Sequence, residues 1–210
     1  MPSDADEPTP TPGRPSPAGP RVAALLAAGA GTRFAGGGHK LLATLRGRPL
    51  WHWSLSHALA AGFDHVIVVT GAVALEPPAG TRGHVVVRHH PSWADGQAGS
   101  VQLAIRAAAE LGATAVTIGL ADQPFVTAAA WRAVAEADDG CRIVVAAYGG
   151  TLGPNPVRLA AEVWPLLPTS GDEGARRVIR AHPEWVCTVA CVGSGADIDT
   201  LEDLERWNHC

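Results

Sequence analysis

A glycine-rich stretch with two cationic side chains gives the first chemical signal in this sequence. It runs from Gly29 to Lys40, holds five glycines and includes Arg33. Glycines let backbone N–H groups approach an anion closely, and the two side chains add positive charge at the same place. Lys40 is the only lysine against fifteen arginines, and lysine offers a compact, mobile point charge. The stretch therefore predicts a site for a triphosphate, whose charge must be neutralised before nucleophilic attack.

Two common glycine-loop motifs do not match this stretch. A P-loop requires Gly-Lys followed by Ser or Thr, but His39 precedes Lys40 and a leucine follows it. A dinucleotide fingerprint requires GxGxxG, but Phe34 stands at the position of the third glycine. The next predicted strand ends in Thr70-Gly71, without an acidic residue to hold a ribose. These mismatches argue against a nicotinamide-binding site.

Two acidic segments are candidates for holding Mg²⁺. Asp122 follows a predicted strand, and the carboxyl ends of strands face the ligand crevice in α/β folds. The alternative for Asp122 is a turn-capping role, although Thr127 already supplies a cap for the next helix. Asp199 precedes a helix, where an acidic residue is also explained by capping. We expect Asp122 as one metal ligand and the second carboxylate from the segment at the start of this helix, where Asp197 is the alternative to Asp199.

The hydrophobic pattern predicts alternating strands and helices after residue 20. Strands are expected at Val22–Ala28, His65–Thr70, His84–Arg88, Thr114–Leu120, Arg142–Ala147 and Trp185–Val192. Helices are expected at Pro49–Ala61, Ser100–Leu111 with Ser100 as N-cap, Thr127–Ala137, Leu159–Leu167, Asp172–Ala181 and from Thr200 onward. This alternation is typical of an α/β fold with three layers and a Rossmann-like, mostly parallel sheet. Ligands would bind at Ala28–Lys40, Thr70–Gly71 and Ala121–Pro124.

Length and composition indicate one domain and exclude several classes of partner. Residues 1–20 hold seven prolines and little to bury, so we expect a disordered tail before a single domain at 21–210. A net charge of -4 argues against nucleic acid as a partner, and no apolar run is long enough to span a membrane. Without a secretory signal, a cytoplasmic location is expected. The four cysteines, at 141, 187, 191 and 210, are interpreted as reduced thiols.

The segment from Leu26 to Lys40, LAAGAGTRF followed by a lysine, resembles the signature of nucleotidyltransferases related to the molybdopterin-guanine dinucleotide synthases. It is most similar to the molybdenum cofactor cytidylyltransferases, because members that use CTP tend to have LAAG where guanylyl enzymes have LAGG. The resemblance implies a nucleotide-diphospho-sugar transferase type of fold. It also implies phosphate contacts from Arg33 and Lys40, although six residues separate these two instead of the usual three or four. The implied nucleotide-binding residues of this loop are Leu26, Ala27, Ala28, Gly29, Gly31, Thr32, Arg33 and Lys40.

Five other segments extend the resemblance from about Val22 to Trp207. The LADQP motif implies Asp122 as a metal ligand, and DIDT implies Asp199, with leucine replacing the usual proline after it. Residues 90–100 resemble NPxWxxGxxxS, with His90 in place of asparagine, and imply a nucleotide contact near Gly99 and Ser100. Together with the strand end at Gly71, these complete the nucleotide-binding set. Residues 148–157 and 169–176 correspond to acceptor-side stretches, with Gly153, Asn155, Asp172 and Arg176 as the acceptor-binding residues.

The expected activity is Mg²⁺-dependent transfer of CMP from CTP to a phosphorylated small molecule, with release of pyrophosphate. Arg33, Lys40 and Asp122 are the expected catalytic residues. The resemblance implies the molybdenum-bearing pterin phosphate as acceptor and a molybdenum hydroxylase as partner. Three alternatives remain open at this point. They are the same chemistry with GTP or another acceptor such as a phosphosugar or phospholactate, a nicotinamide-dependent reductase of the nicotine blue type, and a non-catalytic insertion chaperone for a molybdenum hydroxylase.

Overall fold

The computed structural model describes residues 19–35, 37–81, 83–137 and 140–209, apart from the side chain of Pro154. The segment expected to be a disordered tail, residues 1–20, lies outside this part of the chain except for its last two residues. Cys210 also lies outside it. No helix within the described residues is long and apolar enough to cross a bilayer.

Nine strands and five α-helices make up the described chain. The strands are β1 (Val22–Ala27), β2 (Thr44–Leu45), β3 (Arg48–Pro49), β4 (His65–Thr70), β5 (Val85–His89), β6 (Ala115–Leu120), β7 (Ile143–Tyr148), β8 (Thr151–Ala160) and β9 (Val186–Cys191). The helices are α1 (Leu50–Ala60), α2 (Gln97–Glu110), α3 (Ala128–Ala135), α4 (Arg176–Ala181) and α5 (Leu201–Asn208). Short 3-10 turns, at Lys40–Leu42, Trp93–Asp95, Ala161–Leu166 and Pro183–Trp185, connect several of them.

Seven of these strands form one mixed sheet in the order β5-β4-β1-β6-β8-β7-β9. All neighbouring pairs are parallel except those made by β8, which runs antiparallel to both β6 and β7. As a result, β1, β4, β6 and β7 all point the same way, and the residues that follow them meet at one edge of the sheet. The expected α/β fold with a mostly parallel sheet is confirmed.

Both faces of the sheet are buried because successive residues of a strand point to opposite sides. In β1, Val22, Ala24 and Leu26 join a core with α2, whereas Ala23, Leu25 and Ala27 join a second core with α1 and α3. Every residue of β1 is buried, as the continuous apolar sequence predicts for a central parallel strand. The sheet is therefore the middle of three layers, and its loops at the carboxyl edge are held by a rigid support.

The expectation for residues 151–167 was wrong. A helix was expected at Leu159–Leu167, but β8 continues to Ala160 and a 3-10 turn containing Pro165 follows. The Gly-Pro-Asn-Pro sequence at the start of β8 is typical of a turn, which hides a strand from pattern analysis. Tertiary pairing with β6 and β7 overrides that local signal.

The start of α2 was also misplaced. The helix begins at Gln97, three residues before the expected cap at Ser100, and Ser100 is buried within it. Gly96 occupies the cap position with a φ of 107°, a conformation that favours glycine. Asp172–Ala181 is helical only from Arg176, whereas the expected cap at Thr127 is confirmed by its bond from the Ala130 N–H.

The cysteines differ from the expected set of reduced thiols. Cys141 and Cys187 form a disulfide, while Cys191 is free. Cys141 lies just before β7 and Cys187 lies in the neighbouring β9, so spatial proximity across a parallel pair brings them together. Their sequence separation of 46 residues gave no indication of this. The bond ties the edge strand β9 to the sheet.

Candidate active site

The glycine-rich loop after β1 is shaped by its glycines and by two anchoring side chains. Gly31 has a φ of 65°, and the Phe34 N–H donates to the Gly31 carbonyl at 2.9 Å, which closes a tight turn. Phe34 itself is buried in the core against the sheet. His39 closes the loop from the other end, because its Nε2 lies 2.9 Å from the Gly29 carbonyl oxygen while its Nδ1 accepts from the Leu41 N–H. The loop is thus fixed at both ends.

Lys40 lies between two carboxylates. Its Nζ is 2.6 Å from Asp122 Oδ2 and 2.8 Å from Asp199 Oδ1. Arg33 adds a second cation, with its guanidinium 2.8 Å from Asp199 Oδ2. The Lys40 side chain is only 10% exposed, whereas that of Arg33 is 75% exposed. Four formally charged side chains therefore form one cluster, and Lys40 lies between the two carboxylates.

Burial and charge act in opposite directions on Lys40. Burial alone would lower the pKa of its ammonium group, but the negative charges and hydrogen bonds of Asp122 and Asp199 outweigh it. The pKa of Lys40 is raised as a result, so the side chain stays protonated. The group between the two carboxylates is therefore a cation in this structure.

Asp122 reaches this point because β6 ends beside β1. The Ala121 N–H donates to the Leu26 carbonyl at 3.0 Å, and the buried Ser54 hydroxyl donates to the Ala121 carbonyl at 3.0 Å. Both bonds fix the backbone at Ala121, immediately before Asp122. Asp122 Oδ1 is buried and has no hydrogen-bond partner among the described residues, although Oδ2 accepts from Lys40. One oxygen of this carboxylate is therefore left to bind something else.

Asp199 is held by the cap of the last helix and by the Asp122 segment. The Thr200 hydroxyl accepts from the Asp203 N–H, and the Asp203 carboxylate accepts from the Thr200 N–H, which completes a capping box for α5. The Asp203 carboxylate also accepts from the Asp199 N–H at 3.3 Å. The Ile198 N–H donates to the Asp122 carbonyl at 2.9 Å, and Ile198 is fully buried. These contacts join the two acidic segments.

Gln123 is a second link between the acidic segments and was not expected to have a role. Its amide Nε2 donates to the Gly195 carbonyl at 3.0 Å and to Asp197 Oδ1 at 2.6 Å, and the residue is 1% exposed. Asp197, the alternative metal ligand, is therefore engaged by Gln123 beside the Lys40 cluster. Burial and the nearby charge of Asp122 raise the pKa of Asp197. The sequence signal for Gln123 was its place inside the LADQP motif.

Two connected cavities open beside these charges. The first, of about 230 Å³, is lined by Leu26, Ala27, Gly29, Gly31, Thr32, Arg33, Lys40, Leu41, Asp122 and Asp199. The second, of about 480 Å³, shares four of these residues and extends along α2 past Trp93, Gln97, Ser100 and Asp172. The carboxylate pair therefore lies at one end of a cleft that has room for a nucleotide.

The structure brings together most of the expected nucleotide-binding residues. Leu26, Ala27, Gly29, Gly31, Thr32, Arg33 and Lys40 line the first cavity, while Ala28 and Ser100 line the second. Gly71 instead packs tightly, because a Cβ there would lie 2.6 Å from the Ala28 carbonyl and from Trp93. Gly99 packs against the His90 ring in the same way. Gly71 thus allows close approach of Ala28 and Trp93, which both line the second cavity.

The expected acceptor-binding residues separate into three groups. Asp172 lines the second cavity, beside Gly96. Asn155 and Arg176 line a smaller cavity of about 40 Å³ that also contacts Leu26 and Gln97. Gly153 packs under the Tyr148 ring, where a Cβ would lie 2.6 Å from ring atoms. Three of the four thus lie along the continuation of the cleft.

The residues present fit a divalent cation. Within the described ranges, no group of three His, Cys, Asp or Glu side chains could hold a metal by itself. Mg²⁺ in nucleotide sites is commonly bound by one or two carboxylates, with phosphate and water oxygens completing the shell. Asp122 and Asp199 supply such a pair, the buried Asp122 Oδ1 needs a partner, and the ammonium between them marks a position that favours positive charge.

Curated relatives match this chain over most of its length. Nicotine blue oxidoreductase of Paenarthrobacter nicotinovorans is 34% identical over 200 residues, covering 87% of this chain and 93% of that protein. Purine catabolism protein PucB of Bacillus subtilis is 29% identical over 199 residues, covering 89% and 94% respectively.

Solved structures share the fold as well. Rv0371c from Mycobacterium tuberculosis has a TM-score of 0.73 at 26% identity, covering 92% of this chain and 100% of that one. Its complex with manganese has a TM-score of 0.69, covering 90% and 98%. The family model described as the MobA-like NTP transferase domain matches residues 23–185, which include the glycine-rich loop and Asp122. This chain therefore belongs to the family of proteins with a MobA-like NTP transferase domain.

Proposed function

We propose that the protein is a divalent-metal-dependent cytidylyltransferase that transfers CMP from CTP to a phosphorylated small molecule. The observation that carries the proposal is the meeting of Asp122, Asp199 and Lys40 at the end of a cleft lined by the glycine-rich loop. Carboxylates for a metal and cations for phosphates are the two requirements of phosphoryl-group chemistry. They lie here within hydrogen-bonding distance of each other.

The reaction is an in-line substitution at the α-phosphorus of CTP. An oxygen of the acceptor phosphate forms a new bond to this phosphorus, and the bond to the oxygen that bridges to the β-phosphate breaks. Pyrophosphate leaves with the bonding electrons. Arg33 and Lys40 stabilise the charge that develops on the leaving group, and the loop amides hold the triphosphate in line. No covalent intermediate with the protein is required.

Mg²⁺ is the proposed metal, held by Asp122 and Asp199. When bound, it would neutralise charge on the reacting phosphate groups. Rv0371c, at 26% identity, was solved in complex with manganese, which supports a divalent cation as a ligand of this chain as well. A coordination shell made mainly of oxygen also favours Mg²⁺ or Mn²⁺ over softer metals.

The choice of CTP and of the acceptor rests on the LAAG sequence at the end of β1 and on the segments along the cleft. The acceptor we favour is the pterin phosphate that bears molybdenum, with a molybdenum hydroxylase as the protein that receives the product. Arg176, which lines the small cavity beyond Gln97, supplies a cation for an acceptor phosphate. The same chemistry with GTP, or with a phosphosugar or phospholactate, is the nearest alternative.

Calorimetric titration of the full chain with CTP and GTP, each with Mg²⁺, tests the nucleotide. We expect CTP to bind at least about tenfold more tightly, a difference of about 1.4 kcal/mol. Pyrophosphate release from CTP in the presence of the molybdenum-bearing pterin then tests the reaction. Equal binding of both nucleotides, or tighter binding of GTP, would contradict the cytidylyl assignment. Binding of the pterin without pyrophosphate release would favour the insertion chaperone.

A second candidate is a nicotinamide-dependent reductase, and the 34% identity to nicotine blue oxidoreductase favours it. The loop lacks a third glycine at Phe34, and the cleft has a carboxylate pair that hydride transfer does not need. Oxidation of NADH with a quinonoid dye distinguishes the two. A rate that persists in Asp122→Asn would support the reductase, whereas no NADH oxidation would support the transferase.

A further inference from the structure

The position of Lys40 conflicts with a simple role as a phosphate ligand. The residue was expected to contact phosphate, yet its ammonium is buried between the two carboxylates proposed to bind the metal. It donates to one oxygen of each, at 2.6 and 2.8 Å. A divalent cation held by the same two residues and this ammonium repel each other at such short range. Both cannot remain in this arrangement at once.

The stem of Lys40 is guided to this position by the loop. A Cβ on Gly31 would lie 2.9 Å from Lys40 Cγ and 3.3 Å from Cδ, so the lysine stem packs directly on the Gly31 backbone. His39, the preceding residue, is anchored on both sides by its ring nitrogens. The loop therefore directs the ammonium toward the carboxylates, while the flexible lysine chain still allows it to move.

We propose that Lys40 occupies the cation position between Asp122 and Asp199 and excludes the metal until a nucleotide polyphosphate draws the ammonium away. The first cavity, which Lys40 itself lines, brings the phosphates within reach of that ammonium. Phosphate oxygens replace the two carboxylate acceptors, and the carboxylate pair becomes free for the metal. Nucleotide and metal then bind with positive cooperativity, and metal alone binds weakly.

This inference rests on the proposed function, because it assumes that the cleft receives a polyphosphate and that the carboxylates receive a metal. It adds a role for one residue in the order of binding. Lysine suits this role better than arginine. A single ammonium on a flexible chain can leave the two carboxylate oxygens and bind phosphate oxygens instead, whereas a guanidinium is a rigid, planar group with fixed donor directions. Among the described residues, the mostly exposed Arg33 forms an ion pair with Asp199 but not with Asp122, so it does not bridge the pair.

Binding of Mn²⁺ without nucleotide, followed by electron paramagnetic resonance, tests the exclusion. We expect Lys40→Met to bind Mn²⁺ at least about tenfold more tightly than the unsubstituted chain, because the competing charge is gone. The matched control is Arg142→Met, which also removes one positive charge. Arg142 lies just before β7, at the amino ends of the parallel strands and so away from the carboxylate pair. This control should leave Mn²⁺ affinity unchanged. Unchanged or weaker Mn²⁺ binding by Lys40→Met would overturn the inference.

The unsubstituted chain offers a second measurement, because Lys40 is its only lysine. Labelling lysine with ¹⁵N gives one side-chain ammonium signal in the NMR spectrum. CTP without metal should shift this signal, whereas Mg²⁺ alone should leave it in place. If CTP leaves the signal unchanged, or if Mg²⁺ alone shifts it as far as CTP does, the ammonium does not exclude the metal from the carboxylate pair. Neither measurement needs turnover. The exclusion of the metal by Lys40 can therefore be supported or overturned even if the chain releases no pyrophosphate.

Discussion

The carboxylate of Asp122 is the side chain on which most of the chemistry depends. It binds Lys40 through one oxygen, and the other oxygen is buried and has no hydrogen-bond partner among the described residues. An asparagine has nearly the same shape but no charge, so it preserves the turn after β6 while weakening attraction for any cation. The charge of this residue can therefore be tested separately from its packing.

We predict that Asp122→Asn reduces pyrophosphate release by more than about 100-fold while the chain remains folded, because electrostatic stabilisation of the reacting phosphates is lost. A coupled assay for pyrophosphate measures the rate, and circular dichroism checks the fold. Asp64→Asn, which removes one carboxylate just before β4 at the far edge of the sheet, is the control and should keep its activity. Near-normal turnover in Asp122→Asn would remove this residue from the metal site.

Gly31 gives a second prediction about a single position. Gly31→Ala places a Cβ 2.9 Å from Lys40 Cγ and forces a non-glycine residue to a φ of 65°, so it should displace the lysine stem and strain the loop. We expect a loss of stability of about 1–3 kcal/mol in chemical denaturation and a weaker affinity for CTP. Gly37→Ala is the matched control, because a Cβ there meets nothing within 4 Å. Equal behaviour of the two variants would show that Gly31 does not control the position of Lys40.

The ends of β1 and β6 and the start of α5 position the ion cluster, and these were the most predictable parts of the site from sequence. The apolar runs before Gly29 and Asp122 identified β1 and β6, and a parallel arrangement places the ends of both strands at one edge. The Thr200 cap likewise identified the start of α5 and hence the position of Asp199.

Other elements could not be predicted because their signals are not local. β8 begins with a turn-like Gly-Pro-Asn-Pro sequence, and only its pairing with β6 and β7 makes it a strand. The ion pairs of Lys40 join residues separated by 82 and 159 positions, so spacing along the chain gave no indication of them. Gln123 was missed for the same reason, because its amide bonds to Asp197, 74 positions away. His39 was missed although it acts locally, by bonding to the Gly29 carbonyl at the other end of its loop.

The Thr200 cap of α5 gives a prediction about the stability of that helix and about the Asp199 carboxylate that precedes it. Thr200→Val removes the hydroxyl that accepts from the Asp203 N–H, so it should cost about 1 kcal/mol of the free energy of unfolding and weaken Mn²⁺ binding through Asp199. Thr200→Ser keeps the hydroxyl and should behave like the unsubstituted chain. Urea denaturation measures the stability. A loss of stability in Thr200→Ser with none in Thr200→Val would show that the methyl group, and not the cap, is what matters.

The same cap gives a pH dependence. Hydrogen bonds from Thr200 hold the pKa of Asp203 below its ordinary value of 3.8. A lowered carboxyl pKa stabilises the folded chain above the unfolded-state pKa, and this stabilisation is lost as the pH falls through the lower folded-state pKa. The stability difference between the unsubstituted chain and Thr200→Val should therefore be full at neutral pH and shrink below pH 3.8. A difference that is independent of pH would contradict the role of the carboxylate.

The disulfide and the ion cluster lie at opposite ends of the parallel strands. The carboxyl ends of β1 and β6 hold the ion cluster, whereas the disulfide of Cys141 and Cys187 lies near the starts of β7 and β9. Those strands run in the same direction as β1, so their starts lie at the opposite edge of the sheet. A covalent bond there can raise stability without constraining a cleft that must admit nucleotide.

Breaking the disulfide should therefore lower stability and spare catalysis. The double variant Cys141→Ser, Cys187→Ser opens a loop of 46 residues, whose closure is worth about 2–4 kcal/mol of unfolding free energy. Urea denaturation without reductant should reveal this loss, and dithiothreitol should produce a similar loss in the unsubstituted chain. Cys191→Ser, which changes the free cysteine of β9, is the control for removing a thiol. Pyrophosphate release by the folded double variant should match that of the unsubstituted chain. If it falls more than about tenfold, β9 transmits strain to the segment carrying Asp199, and the two edges are coupled through the sheet.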